Sequence, residues 1–239
     1  MEISIHIMLN KLKKELKTLT NPKKQEIHQR FFKTGKGEYD EGDVFLGLTM
    51  PQIRKTCAKY TELSLTDLQE LLNNKIHEYR MCALIILNKK FKEEDNKGKI
   101  FKMYMKNYNN INNWDLVDLS APNIPGTWLL NRDKKILYDF AKSNHLWKKR
   151  IAILSTFTFI KNNQFIDTIQ IARILLDDKH DLIHKAVGWM LRELGKRDQP
   201  LEERYLKKYY NVMPRTMLRY AIERFEEKKR QKYLKGTMK

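Results

Sequence analysis

The 239-residue sequence predicts an all-α fold, a curved solenoid of helical hairpins. Apolar residues recur at helical spacing over long stretches, as in Leu63, Leu65, Leu68, Leu71 and Leu72. Strand-like alternation bounded by turn residues is nearly absent. A basic residue followed closely by a small one also returns along the chain: Arg80 with Ala83, Arg150 with Ala152, Lys185 with Ala186 and Gly188, and Arg219 with Ala221. The steps between these marks are 70, 35 and 34 residues, and Trp114 to Ser120 falls midway across the first. A period of that length matches one helical hairpin per repeat.

Each element follows from its residues. The start, Met1 to Leu12, carries Glu2, His6 and Asn10 and lacks the apolar run of a signal peptide. Thr20-Asn21-Pro22 opens a helix, because a side-chain oxygen caps free amides and proline suits the first turn. A second start is expected at Thr66 before Leu68. Between them, Lys33 to Asp43 is rich in glycine, yet no strand precedes it and no Gly-Lys-Ser/Thr ends it. A connection between helices is expected there, not a phosphate loop. The most apolar stretch, Ile151 to Ile160, is too short to span a bilayer and contains Ser155, Thr156 and Thr158. Cys57 and Cys82 make no disulfide framework and no metal spacing. Cys82, among Met81, Ala83 and Leu84, is expected as a small buried apolar residue.

The nine glycines and six prolines do not cluster into a linker, so residues 1–239 are expected to form one domain. Within it, residues 1–50 hold N-terminal helices and the glycine-containing loop, 51–227 the repeats, and 228–239 a basic, solvated tail. Hydrophobic residues at 41% and charged residues at 32% exclude general disorder. The formal net charge of +18 favours a polyanionic partner, though charge alone leaves an anionic membrane surface open. A cytoplasmic, nucleoid-associated location is expected.

A solenoid of helix pairs curves, and its inner helices line a concave face where the recurring cations are expected to point. Trp114 and Asp118 are four apart, hence on one face of a helix, while Leu116, Val117 and Leu119 supply its buried side. An aromatic ring beside a carboxylate favours positive charge. Taken alone, that pair is better explained by a core tryptophan and a surface aspartate; its recurrence with other pairs gives it weight. Trp147 with Arg150 and Lys185 with Trp189 lie within one turn of each other, although Trp128 and Trp147 are expected in the core. His180 and His184 lack the glutamate of a zinc-protease helix and a third ligand, so capping near Asp181 and packing are expected of them.

The chain resembles the AlkD-type alkylpurine DNA glycosylases, a family of HEAT-like repeats. The resemblance is strongest in Asn113 to Leu130, Leu146 to Ile160, Leu182 to Lys196 and Met213 to Phe225, and extends loosely through Phe31 and Phe45-Leu46-Gly47. Its specific marks are Trp114-Asp115-x-x-Asp118 and Ala186-x-Gly188-Trp189-x-Leu191-Arg192-Glu193. The resemblance implies an active surface of Trp114, Asp118, Arg150 and Trp189. It also implies hydrolysis of the N-glycosidic bond of N3- and N7-alkylated purines in double-stranded DNA. No metal or other cofactor is expected, nor extrusion of the base. An alkylated purine is already a cation and leaves readily; the sugar cation left behind is what needs stabilising. Asp118 would do so by charge, the two indoles by their electron-rich faces, and Arg150 would hold a phosphate. Lys149, Lys185, Arg192, Arg215 and Arg219 are expected to contact the DNA backbone, and the protein to act as a monomer. Two departures bear on substrate range: Leu48-Thr49-Met50-Pro51 lacks a longer polar side chain, and Gly35 to Gly42 resembles an insertion. A non-catalytic binder of damaged or branched DNA is the alternative, followed by a protein-interaction scaffold.

Overall fold

The structure, a computed structural model, describes residues 2–93 and 95–238, with side chains from residue 7 onward. Among the described residues every regular element is helical, and the one extended pairing is a parallel bridge between Val44 and Ile76. The chain divides into two compact units, Met1–Ser120 and Ala121–Lys239.

The first unit contains α1 (Glu2–Thr18), α2 (Pro22–Phe31), α3 (Met50–Cys57), α4 (Leu65–Leu72), α5 (His77–Glu93), α6 (Lys97–Lys106) and α7 (Trp114–Ser120). α2 starts where expected, with the Asn21 side chain accepting from the Lys24 amide. α4 starts one residue before Thr66, because Ser64 and Asp67 cap one another's backbone amides reciprocally. α5 is buried over most of its circumference and packs against α3, α4 and α7. Cys57 on α3 and Cys82 on α5 form a disulfide, which corrects the expectation of two unbonded cysteines. Their Cα atoms are 5.9 Å apart, a separation a disulfide spans, created by helix packing across 25 residues of sequence. Cys82 is buried, as expected.

Lys33 to Asp43 is a connection, as its glycines suggested. The Glu38 and Glu41 carboxylates accept from the Gly35 and Gly37 amides, and Gly37 and Gly42 take positive φ. The segment that follows is held by Glu78. This buried carboxylate accepts from the amides of Leu46, Gly47 and Leu48 at 2.9, 2.9 and 3.2 Å. Gly47 has φ +78, and a Cβ there would stand 2.4 Å from the Asn21 carbonyl oxygen. Only glycine fits.

The second unit opens with a π-helical turn at Pro122–Gly126. It continues through α8 (Thr127–Leu129), α9 (Lys135–Lys142), α10 (Leu146–Lys161), α11 (Ile166–Ile174), α12 (Asp181–Gly195), α13 (Gln199–Tyr209), α14 (Arg215–Ala221), a 3₁₀ turn at Ile222–Arg224, and α15 (Glu227–Lys235). α10 packs on α12 and α12 on α14, while α9 pairs with α10, α11 with α12 and α13 with α12. The recurring small residues Ala152, Ala186, Gly188 and Ala221 are buried along this row of helices. The helical-hairpin period read from the sequence is therefore the period of the packing. The expected tail from Lys228 is instead largely α15, because Tyr233 is fully buried against the rings of Tyr210 and Phe225 at 5.4 and 5.7 Å. One aromatic among charges is enough to dock a short helix.

Glu202 on α13 is buried, and its Oε1 has no hydrogen-bond partner among the described residues. Burial pushes its pKa up to about 9, with the neighbouring Glu203 adding to the shift. The folded chain thus keeps a proton that the unfolded chain releases near 4.5. The contribution of Glu202 to stability is expected to be fully present below about 4.5 and to be lost as pH rises through about 9. In melting temperatures measured across this range, Glu202→Gln should flatten the decline; an unaltered slope would contradict the assignment.

Candidate functional site

In the first unit the site is built on α7. Trp114 and Asp118 are both half-buried and one turn apart, as their spacing required. The start of α7 is fixed from three sides. The Asn113 side chain accepts from the Trp114 amide at 2.7 Å and donates to Asp40. Asp115 meets His77 Nε2 at 2.9 Å. The Trp114 ring lies on Phe32, with centroids 5.4 Å apart, and meets the edge of Phe31 at 6.0 Å. Phe32 in turn stacks on Phe45 and on the His77 ring. Phe31 remains 60% exposed, so an accessible aromatic edge adjoins the tryptophan.

Behind that platform lies a buried ionic cluster that the sequence did not reveal. Asp40 and Asp43 come from the glycine-containing connection, and His77 and Arg80 from α5. Arg80 pairs with Asp43 and donates from Nη1 to the Asn74 carbonyl at 2.9 Å. Asn112 Nδ2 donates to Asp40 Oδ1 at 3.1 Å and to Asp43 Oδ1 at 3.3 Å. Burial and then the Asp43 carboxylate raise the pKa of Asp40, whereas Asp43 stays low because His77 and Arg80 outweigh its own burial. Burial opposes charge on His77, but Asp115 prevails and pushes its pKa up to about 9. Only folding brings these four residues together; the loop residues carry no spacing that points to α5.

In the second unit Arg150 is 4% exposed, and its Nη1 donates to the Leu182 carbonyl in the first turn of α12 at 2.6 Å. Arg80 is equally buried. The recurring cations were expected to line a concave face; these two are buried, Arg80 against the Asp43 carboxylate and the Asn74 carbonyl, and Arg150 against the Leu182 carbonyl. Trp189 is half-buried, donates from Nε1 to Glu193 at 3.2 Å and lies 5.9 Å from the Phe157 ring. Although burial works against it, Lys196 and Arg192 hold the Glu193 carboxyl below its usual range. Lys149 pairs with Asp178 and Lys185 with Asp181, each at 2.6 Å. Arg192 pairs with Glu223 and Glu193, Arg215 donates to the Leu234 carbonyl at 3.0 Å, and Arg219 is exposed. Trp147 is in the core, as expected, while Trp128 is half-buried under the Arg132 guanidinium at 3.9 Å. His180 caps α12, accepting from the Leu182 amide at 3.1 Å, and His184 donates to the Asp178 carbonyl, so both histidines take the capping and packing roles expected of them. Among the described residues no helix is long and apolar enough to cross a membrane.

Rows of paired helices, one carrying a tryptophan and a carboxylate on a shared face, define an all-α helical-repeat protein. A model of the DNA alkylation repair enzyme family matches residues 12–225, and the chain belongs to that family. Its role therefore lies in DNA repair, with DNA as its partner. A solved structure described as a predicted DNA alkylation repair enzyme from Enterococcus faecalis shares the fold at a TM-score of 0.71. That alignment covers 87% of this chain and 97% of the other at 16% identity. No functionally curated protein matches the sequence.

Proposed function

We propose that the protein is a DNA glycosylase that hydrolyses the N-glycosidic bond of N3- and N7-alkylated purines in duplex DNA. The observation that carries this reading is the pair on α7: a half-buried indole and a carboxylate on one helical face, with the helix start fixed by Asn113 and His77. An alkylated purine departs without general-acid help, leaving an electron-poor deoxyribose. Asp118 stabilises that charge and orients or deprotonates the attacking water. Trp114 offers an electron-rich ring face to the sugar. Arg150, buried as it is, holds the first turn of α12, the helix that carries Trp189. Phosphate contacts fall to exposed or half-exposed cations such as Arg219, Arg215 and Lys185. Lys149 and Arg192, each already paired with carboxylates, add positive charge nearer the protein.

The test is release of purine and formation of abasic sites in methylated duplex DNA. Asp118→Asn keeps the shape of the side chain and removes its charge. The loss of one preorganised electrostatic contact is expected to slow excision by about 10²–10³-fold. Equal release from both proteins would remove Asp118 from the mechanism. Tight, salt-sensitive binding without any base release would instead identify a non-catalytic binder of damaged DNA.

A further inference from the structure

The Asp40, Asp43 and His77 cluster has the make-up of a metal centre. One ligand atom from each can be chosen so that all lie within 4.8 Å of one another, and all three residues are buried. His77 is 3% exposed, and its Nδ1 has no hydrogen-bond partner among the described residues. That nitrogen faces Asp43 Oδ2 at 3.6 Å, too long for a hydrogen bond. Two ligands on one tetrahedral ion, each at the usual bond length, are separated by about 3.4 Å. Asn112 Oδ1 also lacks a partner, although its amide sits on both carboxylates. Turning the amide by half a revolution would point that oxygen at them. This is repulsive without a cation and favourable with one.

The surrounding residues have the form that supports metal ligands. A metal-bound histidine characteristically donates its other ring N–H to a carboxylate, and ligating carboxylates are themselves hydrogen-bonded. Here His77 Nε2 meets Asp115, Asn113 bonds Asp40, and Arg80 pairs with Asp43. Charge also closes: two carboxylate ligands offset a divalent ion, and Asp115 offsets Arg80. We propose that Asp40, Asp43 and His77, with the amide oxygen of Asn112, form a structural site for a first-row divalent ion of the Zn²⁺ type. Mixed imidazole and carboxylate donors suit such an ion better than Mg²⁺. The ion would fasten the glycine-containing connection to α5 and to the start of α7.

The experiment strips the full-length protein with a chelator and titrates it with Zn²⁺ alone, reading bound metal by elemental analysis and stability by thermal melting. The expected result is one ion per chain and a Tm raised by about 5–10 °C at a hundredfold excess over Kd. Asp40→Asn, which preserves the side-chain shape, should weaken binding by about tenfold or more. Asn112→Ala, at the rim of the cluster, decides the matter if Asp40→Asn does not fold. Co²⁺ in place of Zn²⁺ should give visible absorption that these variants reduce. Failure of the wild type to retain metal overturns the proposal. So does equal binding by wild type and both variants, which would place the ion on the surface. None of these readouts depends on base excision, so the proposed activity and this site can fail separately.

Discussion

Glu78→Ala is expected to cost about 3–5 kcal/mol of folding stability. The Glu78 carboxylate is 1% exposed and accepts three consecutive backbone amides, from Leu46, Gly47 and Leu48. Removing it leaves three buried donors, and each unsatisfied amide costs about 1–3 kcal/mol before any relaxation. Relief from burying a charge offsets part of this, and the vacated volume adds to it. A domain holds only about 5–15 kcal/mol in total, so the variant should sit at the edge of unfolding. The segment cannot simply turn its amides elsewhere, because Gly47 packs its α-carbon against the Asn21 carbonyl. Urea unfolding gives the measurement. Glu78→Gln, which keeps one carbonyl oxygen, should fall between wild type and alanine. A midpoint for Glu78→Ala within error of the wild type would show that the three amides find other partners.

Gly188→Val should be comparably damaging, at about 3 kcal/mol or more. Gly188 lies on α12 where it crosses α14, and a Cβ there would stand 2.4 Å from the Met217 carbonyl oxygen and 2.5 Å from Tyr220 Cβ. A backbone oxygen cannot swing aside like the end of a side chain. α14 must therefore move as a body, opening the seam between two packed helices. Gly188→Ala should already be destabilising. Gly35→Ala is the control, since its Cβ would meet only the flexible end of Glu38 at 3.0 Å. Thermal melting compares the three; a Tm for Gly188→Ala as high as that of Gly35→Ala would mean that the two helices separate at no cost.

Gly188 also illustrates what can be read before folding. Its place in the recurring basic-then-small pattern marks one unit of the repeat, and in the structure that place is where α12 packs on α14. The same pattern does not foretell the surroundings of two cations. Arg80 and Arg150 keep the period, yet their guanidiniums turn to Asp43, Asn74 and Leu182, partners supplied by other elements. Tyr233 and the Cys57–Cys82 pair carry the same lesson. An isolated aromatic in a basic run, or two cysteines 25 residues apart, acquire partners only when helices dock.

Helical periodicity, the hairpin repeat, the shared face of Trp114 and Asp118, and the capping role of His180 were determined by sequence alone. The periodicity, the shared face and the cap depend on residues within about one or two turns of each other, where backbone geometry dictates the neighbours, and the hairpin repeat on a pattern that returns about every 35 residues. Tertiary structure decided the rest: the aromatic platform beneath Trp114, the Glu78 staple, and the Asp40–Asp43–His77 cluster. Those contacts join residues some thirty or more positions apart, and their energies come from burial and charge pairing that exist only once water has been excluded from between the elements.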